Sequence, residues 1–261
     1  ISKLTYSDQH FLFFTQLLIL LPIAFAAHRL RISVVWAVFI YLAILFNTSL
    51  NATRQVIAVS FCLLSLSFLL QNKYLKSIVW VVVAYGFHHS AVLFIVFVFL
   101  HHWLNNHSFG TKKSVVLLIS LGIVLFFTVF SSVGMYLIEN LLADDYGSYG
   151  SDNKFGTKFP IALFGLSLFN AFVYYWAVKG KRQNAVLYLF NYLVYLCPAI
   201  CFSGLLSRYA VRVVYYPLFM FILIFPYLIK NLGVPPKAKG LVVFAYIVYF
   251  FLTMVPYESS F

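Results

Sequence analysis

Nine apolar runs of membrane-span length follow one another along this chain, and they decide most of what it can fold into. They are Phe11–Ala27, Ile32–Leu50, Thr53–Leu70, Ser77–Leu100, Val115–Ile138, Phe159–Val178, Ala185–Leu206, Val211–Ile229 and Gly240–Pro256. A transmembrane helix needs about 20 mostly apolar residues in succession. Hydrophobic residues fill 63% of the 261 positions and charged ones only 9%, whereas a soluble domain carries roughly 25% charged residues. The runs are too long and too evenly apolar for barrel strands, which alternate over about 10 residues. Helices, which pair their own backbone groups, remain. The expected fold is therefore all-α: a polytopic integral membrane bundle of about eight or nine segments, forming one transmembrane domain over residues 1–261. The chain opens on Ile1 and a polar stretch to His10 that reads as a loop. Further spans are expected upstream.

The basic residues set the orientation. The formal net charge is +12, which in a soluble protein suggests nucleic acid. Here Lys and Arg sit in short loops, where they fix topology and meet anionic headgroups, so no nucleic acid partner is expected. Arg29 and Arg31, Lys73 and Lys76, Lys112 and Lys113, Lys179 with Lys181 and Arg182, and Lys230 with Lys237 and Lys239 should all lie on the cytoplasmic side. Simple alternation of nine crossings cannot place them there. One change repairs it: the segment 77–100 enters and returns on one side, or breaks into two short halves. The run Ala84-Tyr85-Gly86-Phe87-His88-His89-Ser90 interrupts it with Gly and polar residues. The simpler reading is an ordinary tilted span. With the break, all six acids (Asp8, Glu139, Asp144, Asp145, Asp152 and Glu258) fall outside. The stretch 139–159 then forms an outer loop rich in Gly, Ser, Asp and Asn. Its Tyr146 and Tyr149 suit sugar stacking or, more simply, a membrane boundary.

With that topology, Arg54, Arg208 and Arg212 sit on the outer side, where orientation alone would not put them. Arg208 and Arg212 are four residues apart and share a helix face. Guanidinium groups recognise phosphate oxygens through paired hydrogen bonds. The plain alternative is that each snorkels to headgroups. Three on one side, near a broken segment carrying His88, point to a shared anion site. His88 reads as a proton-handling or orienting group, and adjacent His89 points about 100° away. No carboxylate lies inside any apolar run. That argues against an Asp or Glu relay and a carboxylate-held metal, so neither metal nor cofactor is expected. Cys62, Cys197 and Cys201 lie within apolar runs and read as packing residues.

Three elements of this chain resemble the EpsG/Wzy-like polysaccharide polymerases. They are Asn51-x-x-Arg54-Gln55-x-x-Ala58, Phe87-His88-x-Ser90-Ala91, and Arg212-x-x-x-Tyr216 followed by Pro226. The resemblance implies a metal-independent glycosyltransferase of the bacterial cytoplasmic membrane, its site facing the periplasm or exterior. Such an enzyme polymerises polyprenyl-diphosphate-linked repeat units into O-antigen, capsule or exopolysaccharide. Arg54 and Arg212 would hold the diphosphate, and His88 would orient or deprotonate the acceptor hydroxyl or bind phosphate. Gln55, Ser90, Tyr209 and Tyr216 flank these groups as candidate substrate contacts, with Arg208 added from its helical spacing. Implied partners are the lipid-linked glycan, membrane lipid and a chain-length regulator protein. The competing reading is a flippase or transporter of lipid-linked oligosaccharide, without catalysis.

Overall fold

The computed structural model describes residues 8–106, 158–181, 184–204 and 208–254. Among them every regular element is helical. In chain order these are α1 (Asp8–Arg29), α2 (Val34–Ile44), α3 (Phe46–Asn51), α4 (Thr53–Leu69), α5 (Tyr74–Phe87), a 3-10 turn (His89–Leu93), α6 (Phe94–Asn106), α7 (Lys158–Val178), α8 (Ala185–Gly204), α9 (Arg208–Phe219), α10 (Phe221–Leu232) and α11 (Pro236–Met254). Four stretches among the described residues are long and apolar enough to cross a membrane: His10–Arg29, Ile161–Val178, Val214–Leu232 and Pro236–Thr253. The other apolar helices are shorter. The expected run Val115–Ile138, Lys112, Lys113, Arg182 and all but the last two residues of the 139–159 loop lie outside the described residues.

The fewer full-length spans have local causes. The run Ile32–Leu50 does not form one helix; it breaks at Leu45 (φ −118°, ψ −22°), and short α3 ends at Ala52 (φ −117°, ψ 45°), beyond the run. Hydroxyl and amide side chains offer the backbone competing partners. Here Ser49 Oγ donates to the Phe46 carbonyl at 2.6 Å and Thr53 Oγ1 to the Ser49 carbonyl at 2.8 Å. Gln16 of α1 donates to Ser49 Oγ at 3.0 Å, and Tyr41 of α2 donates to Gln16. A polar knot therefore holds short α3 just ahead of Arg54. The segment 77–100 breaks too, at His88, whose backbone is extended (φ −154°, ψ 123°). The run 211–229 is nearly continuous, interrupted at Met220 between α9 and α10.

α4 and the stretch running from α9 into α10 form the axis of the bundle. In α4 every residue from Gln55 to Leu69 is buried except Phe61. Every residue from Val214 to Pro226 is buried as well. Burial at α4 is helped by small residues that let backbones approach. Ser65 Oγ lies 2.7 Å from Ser77 Oγ and donates to the Ser77 carbonyl at 2.8 Å, fixing α4 antiparallel to α5.

Direct contacts gather the described basic turns at one end. Arg29 Nη2 donates to Gln71 Oε1 at 2.7 Å, Gln71 Nε2 returns a bond to the Arg29 carbonyl at 3.0 Å, and the guanidinium lies 3.6 Å above the Phe68 ring. Lys230 Nζ donates to the Leu30 carbonyl at 3.3 Å. Lys179 and Lys181 line a hollow with Gly233, Val234 and Pro235, where the left-handed Gly233 (φ 67°) closes α10 before α11 begins. At the other end Asn47 Nδ2 donates to Thr253 Oγ1 at 3.0 Å, tying α3 to the end of α11.

Candidate functional site

The break at His88 makes a helical hairpin. α5 leaves the basic end, and α6 comes back to it. Asn105 Nδ2 donates to Tyr74 Oη at 2.9 Å and to Asn72 Oδ1 at 2.6 Å. Tyr74 Oη lies 3.4 Å from His101 Nδ1, and its ring meets His102 edge-on. These contacts close the hairpin's open end, next to Gln71 and Lys73. The 14 residues of α5 rise about 21 Å, short of the roughly 30 Å hydrocarbon core. Its tip is therefore the one part of the pair that reaches toward the far end.

That tip carries the candidate chemistry. His88 caps the 3-10 turn: the Ser90 N–H donates to His88 Nδ1 at 3.3 Å. Ser90 Oγ lies 2.8 Å from the same nitrogen and 2.9 Å from Tyr216 Oη. Tyr216, 1% exposed, stands on the buried axis of the bundle. A chain His88–Ser90–Tyr216 thus ties the hairpin tip to α9, joining residues 126 positions apart. Its electronic sense can be read. With Nδ1 accepting from the Ser90 N–H, the neutral ring carries its proton on Nε2. Such a ring is a hydrogen-bond donor at Nε2, suited to an anionic oxygen.

The other candidate residues divide. Arg54 is exposed and Gln55 is 3% exposed; neighbours on a helix point about 100° apart, and only Arg54 reaches outward. Arg54 precedes Ser65 by as many residues as His88 follows Ser77. Because Ser65 and Ser77 pair across antiparallel helices, Arg54 and His88 stand at about the same height, roughly 16 Å from that crossing. α4 also packs against both the 3-10 turn and α9. Arg208, Tyr209 and Arg212 belong to α9, with Arg212 one turn before Tyr216; their side chains lie outside the described residues. Among the described residues no three His, Cys, Asp or Glu side chains converge as a metal site would require.

A family model described as the EpsG family matches residues 1–257. The chain belongs to the EpsG family. With its apolar helices, EpsG membership makes it a multi-pass membrane protein of polysaccharide biosynthesis, of the polymerase kind. No curated protein and no solved structure matches the chain. Several structural features of this EpsG chain carried no signal in the sequence. The knot of Gln16, Tyr41 and Ser49 behind Arg54 draws on three helices. His101, which reads in the sequence as an unremarkable loop-end histidine, sits 1% exposed at the hairpin base. Both depend on long-range pairing that residue spacing along one helix does not encode.

Proposed function

We propose that this EpsG-family chain transfers a growing glycan from polyprenyl diphosphate to the terminal sugar of a second lipid-linked repeat unit, at the outer face of a bacterial cytoplasmic membrane. The observation that carries the proposal is the His88–Ser90–Tyr216 chain at the hairpin tip, level with the exposed Arg54. In the reaction the acceptor hydroxyl oxygen bonds to the anomeric carbon as that carbon's bond to the diphosphate breaks. The electron pair leaves on the diphosphate, which also takes up the hydroxyl proton. Arg54 and the Nε2–H of His88 stabilise the charge that grows on the leaving group, and Arg212, one turn before Tyr216 on α9, adds a second guanidinium. Fixed donors aimed at developing charge in a site shielded from water are among the largest catalytic effects available to a protein, and none of these donors requires a metal. The hairpin is re-entrant in this reading, entering and leaving on the cytoplasmic side with its tip in the site. Arg208 and Tyr209 serve substrate binding around it, whereas Gln55, buried in the bundle, packs behind Arg54.

Purified protein supplied with lipid-linked repeats tests this directly. Wild type is expected to lengthen the glycan, and His88→Ala with Arg54→Ala together to abolish growth. Growth that survives both substitutions would remove the proposal. Substrate translocation without any sugar transfer by the wild type would favour the flippase reading instead.

A further inference from the structure

α4 is enclosed along its length, yet two side chains beyond its first residue escape: Arg54 is exposed and Phe61 is half-buried. They are seven residues apart, two helical turns, so they share a face about 10 Å apart along the axis. Phe61 is also the middle ring of a stack. Its plane lies 10° from that of Trp80, with centroids 5.7 Å apart, and 8° from that of Phe87, with centroids 5.4 Å apart. Trp80 and Phe87 come from α5, and Phe87 immediately precedes His88. One seam between α4 and α5 therefore carries a guanidinium level with the hairpin tip and, below it, three stacked rings. Phe87 is 36% exposed and Trp80 half-buried, so the stack is open to an occupant. The rings already contact one another face to face, so what they offer is edges held in fixed rotamers. An apolar chain packs on such a surface with little loss of side-chain freedom.

We propose that the Trp80–Phe61–Phe87 stack is the seat of the isoprenoid tail of the diphosphate lipid, running from Arg54 toward the middle of the membrane. This rests on the diphosphate reading of the site above and adds where the lipid lies and which way it points. The argument for this occupant is the placement of charge: the cation sits on the same face of α4 as the middle ring, at the end where His88 waits. A head with phosphate oxygens followed by a long apolar tail matches that order. Other exposed apolar side chains of α5, such as Val79 and Val82, are aliphatic, and the cation nearest them on that helix, Lys76, belongs to the basic end rather than to the hairpin tip.

The test compares two donors of the same sugar diphosphate, one on a full-length polyprenyl chain and one on a short, soluble isoprenyl chain, in the full protein reconstituted in lipid discs. Phe61→Ala and Trp80→Ala are expected to raise KM for the long-chain donor roughly tenfold, as loss of one ring's apolar contact implies, and to leave kcat and the short-chain KM unchanged. An unchanged long-chain KM, or an equal rise for both donors, overturns the inference. Unsubstituted protein supplies a second readout that no folding defect can obscure. A polyprenyl diphosphate with a photoreactive tail should label Phe61, Trp80 or Phe87, and unlabelled polyprenyl diphosphate should compete. Labelling elsewhere, or labelling at the stack that only ordinary phospholipid displaces, overturns it. His88→Ala separates the two proposals: lost transfer with labelling retained keeps both, whereas retained transfer removes the catalytic reading and leaves the lipid seat to stand on labelling alone.

Discussion

At the scale of single residues the proposed chemistry turns on the hydrogen at His88. Nδ1 is occupied as an acceptor by the Ser90 N–H, so in the proposed reaction the ring would act through Nε2 as a donor rather than as a base. Gln has an N–H near the Nε2 position, and Ala has none. His88→Gln is therefore expected to keep a measurable part of the transfer rate that His88→Ala loses, read as kcat with saturating donor. Equal loss in both would mean that the ring takes a proton instead of giving one. Tyr216 is expected to matter less. Tyr216→Phe removes one neutral hydrogen bond to Ser90 at about 1 kcal/mol, a several-fold loss in kcat. Ser90→Ala removes the side-chain links to both His88 and Tyr216 and should cost more than Tyr216→Phe in the same assay. The sequence made His88, Ser90 and Tyr216 candidates, because each sits in a recognisable pattern. It did not reveal that a single hydroxyl joins the other two, since that depends on how α9 approaches the hairpin.

At the scale of elements, the hairpin's shape rests on two polar contacts far from its tip. Ser65 and Ser77 pair in the buried seam with α4, and Asn105 closes the base through Asn72 and Tyr74. Ser65→Ala removes the hydroxyl without adding bulk and leaves the Ser77 hydroxyl buried without this partner, at a cost of about 1–3 kcal/mol. A lower Tm in detergent should report it. Asn105→Ala is expected to loosen the base, read as faster amide exchange along α6 with less effect on α4. The interruption at Gly86–Ser90 was legible in the sequence as a mismatch between charge and simple alternation, and the chain does break there at His88. The short α3 was not legible: an apolar run with a polar patch at Asn47–Ser49 reads as one span until Gln16 and Tyr41 arrive from other helices to hold the break.

At the scale of the whole molecule, described basic turns share one end of the bundle. Arg29 meets Gln71 and Lys230 meets Leu30 at one end, and Asn47 meets Thr253 at the other. Single cysteines at Lys76 and Lys181 should react with a membrane-impermeant thiol reagent only when it is presented from the cytoplasm. A cysteine at Thr253 should react only from outside. Reaction of Lys76 and Lys181 from opposite sides would undo the arrangement of the bundle. The most direct measurement of the central claim is a structure of the protein with a diphosphate lipid bound. The account places phosphate oxygens within hydrogen-bond reach of both Arg54 and His88 Nε2. A headgroup seated at the basic end, with His88 remote from it, would contradict the account.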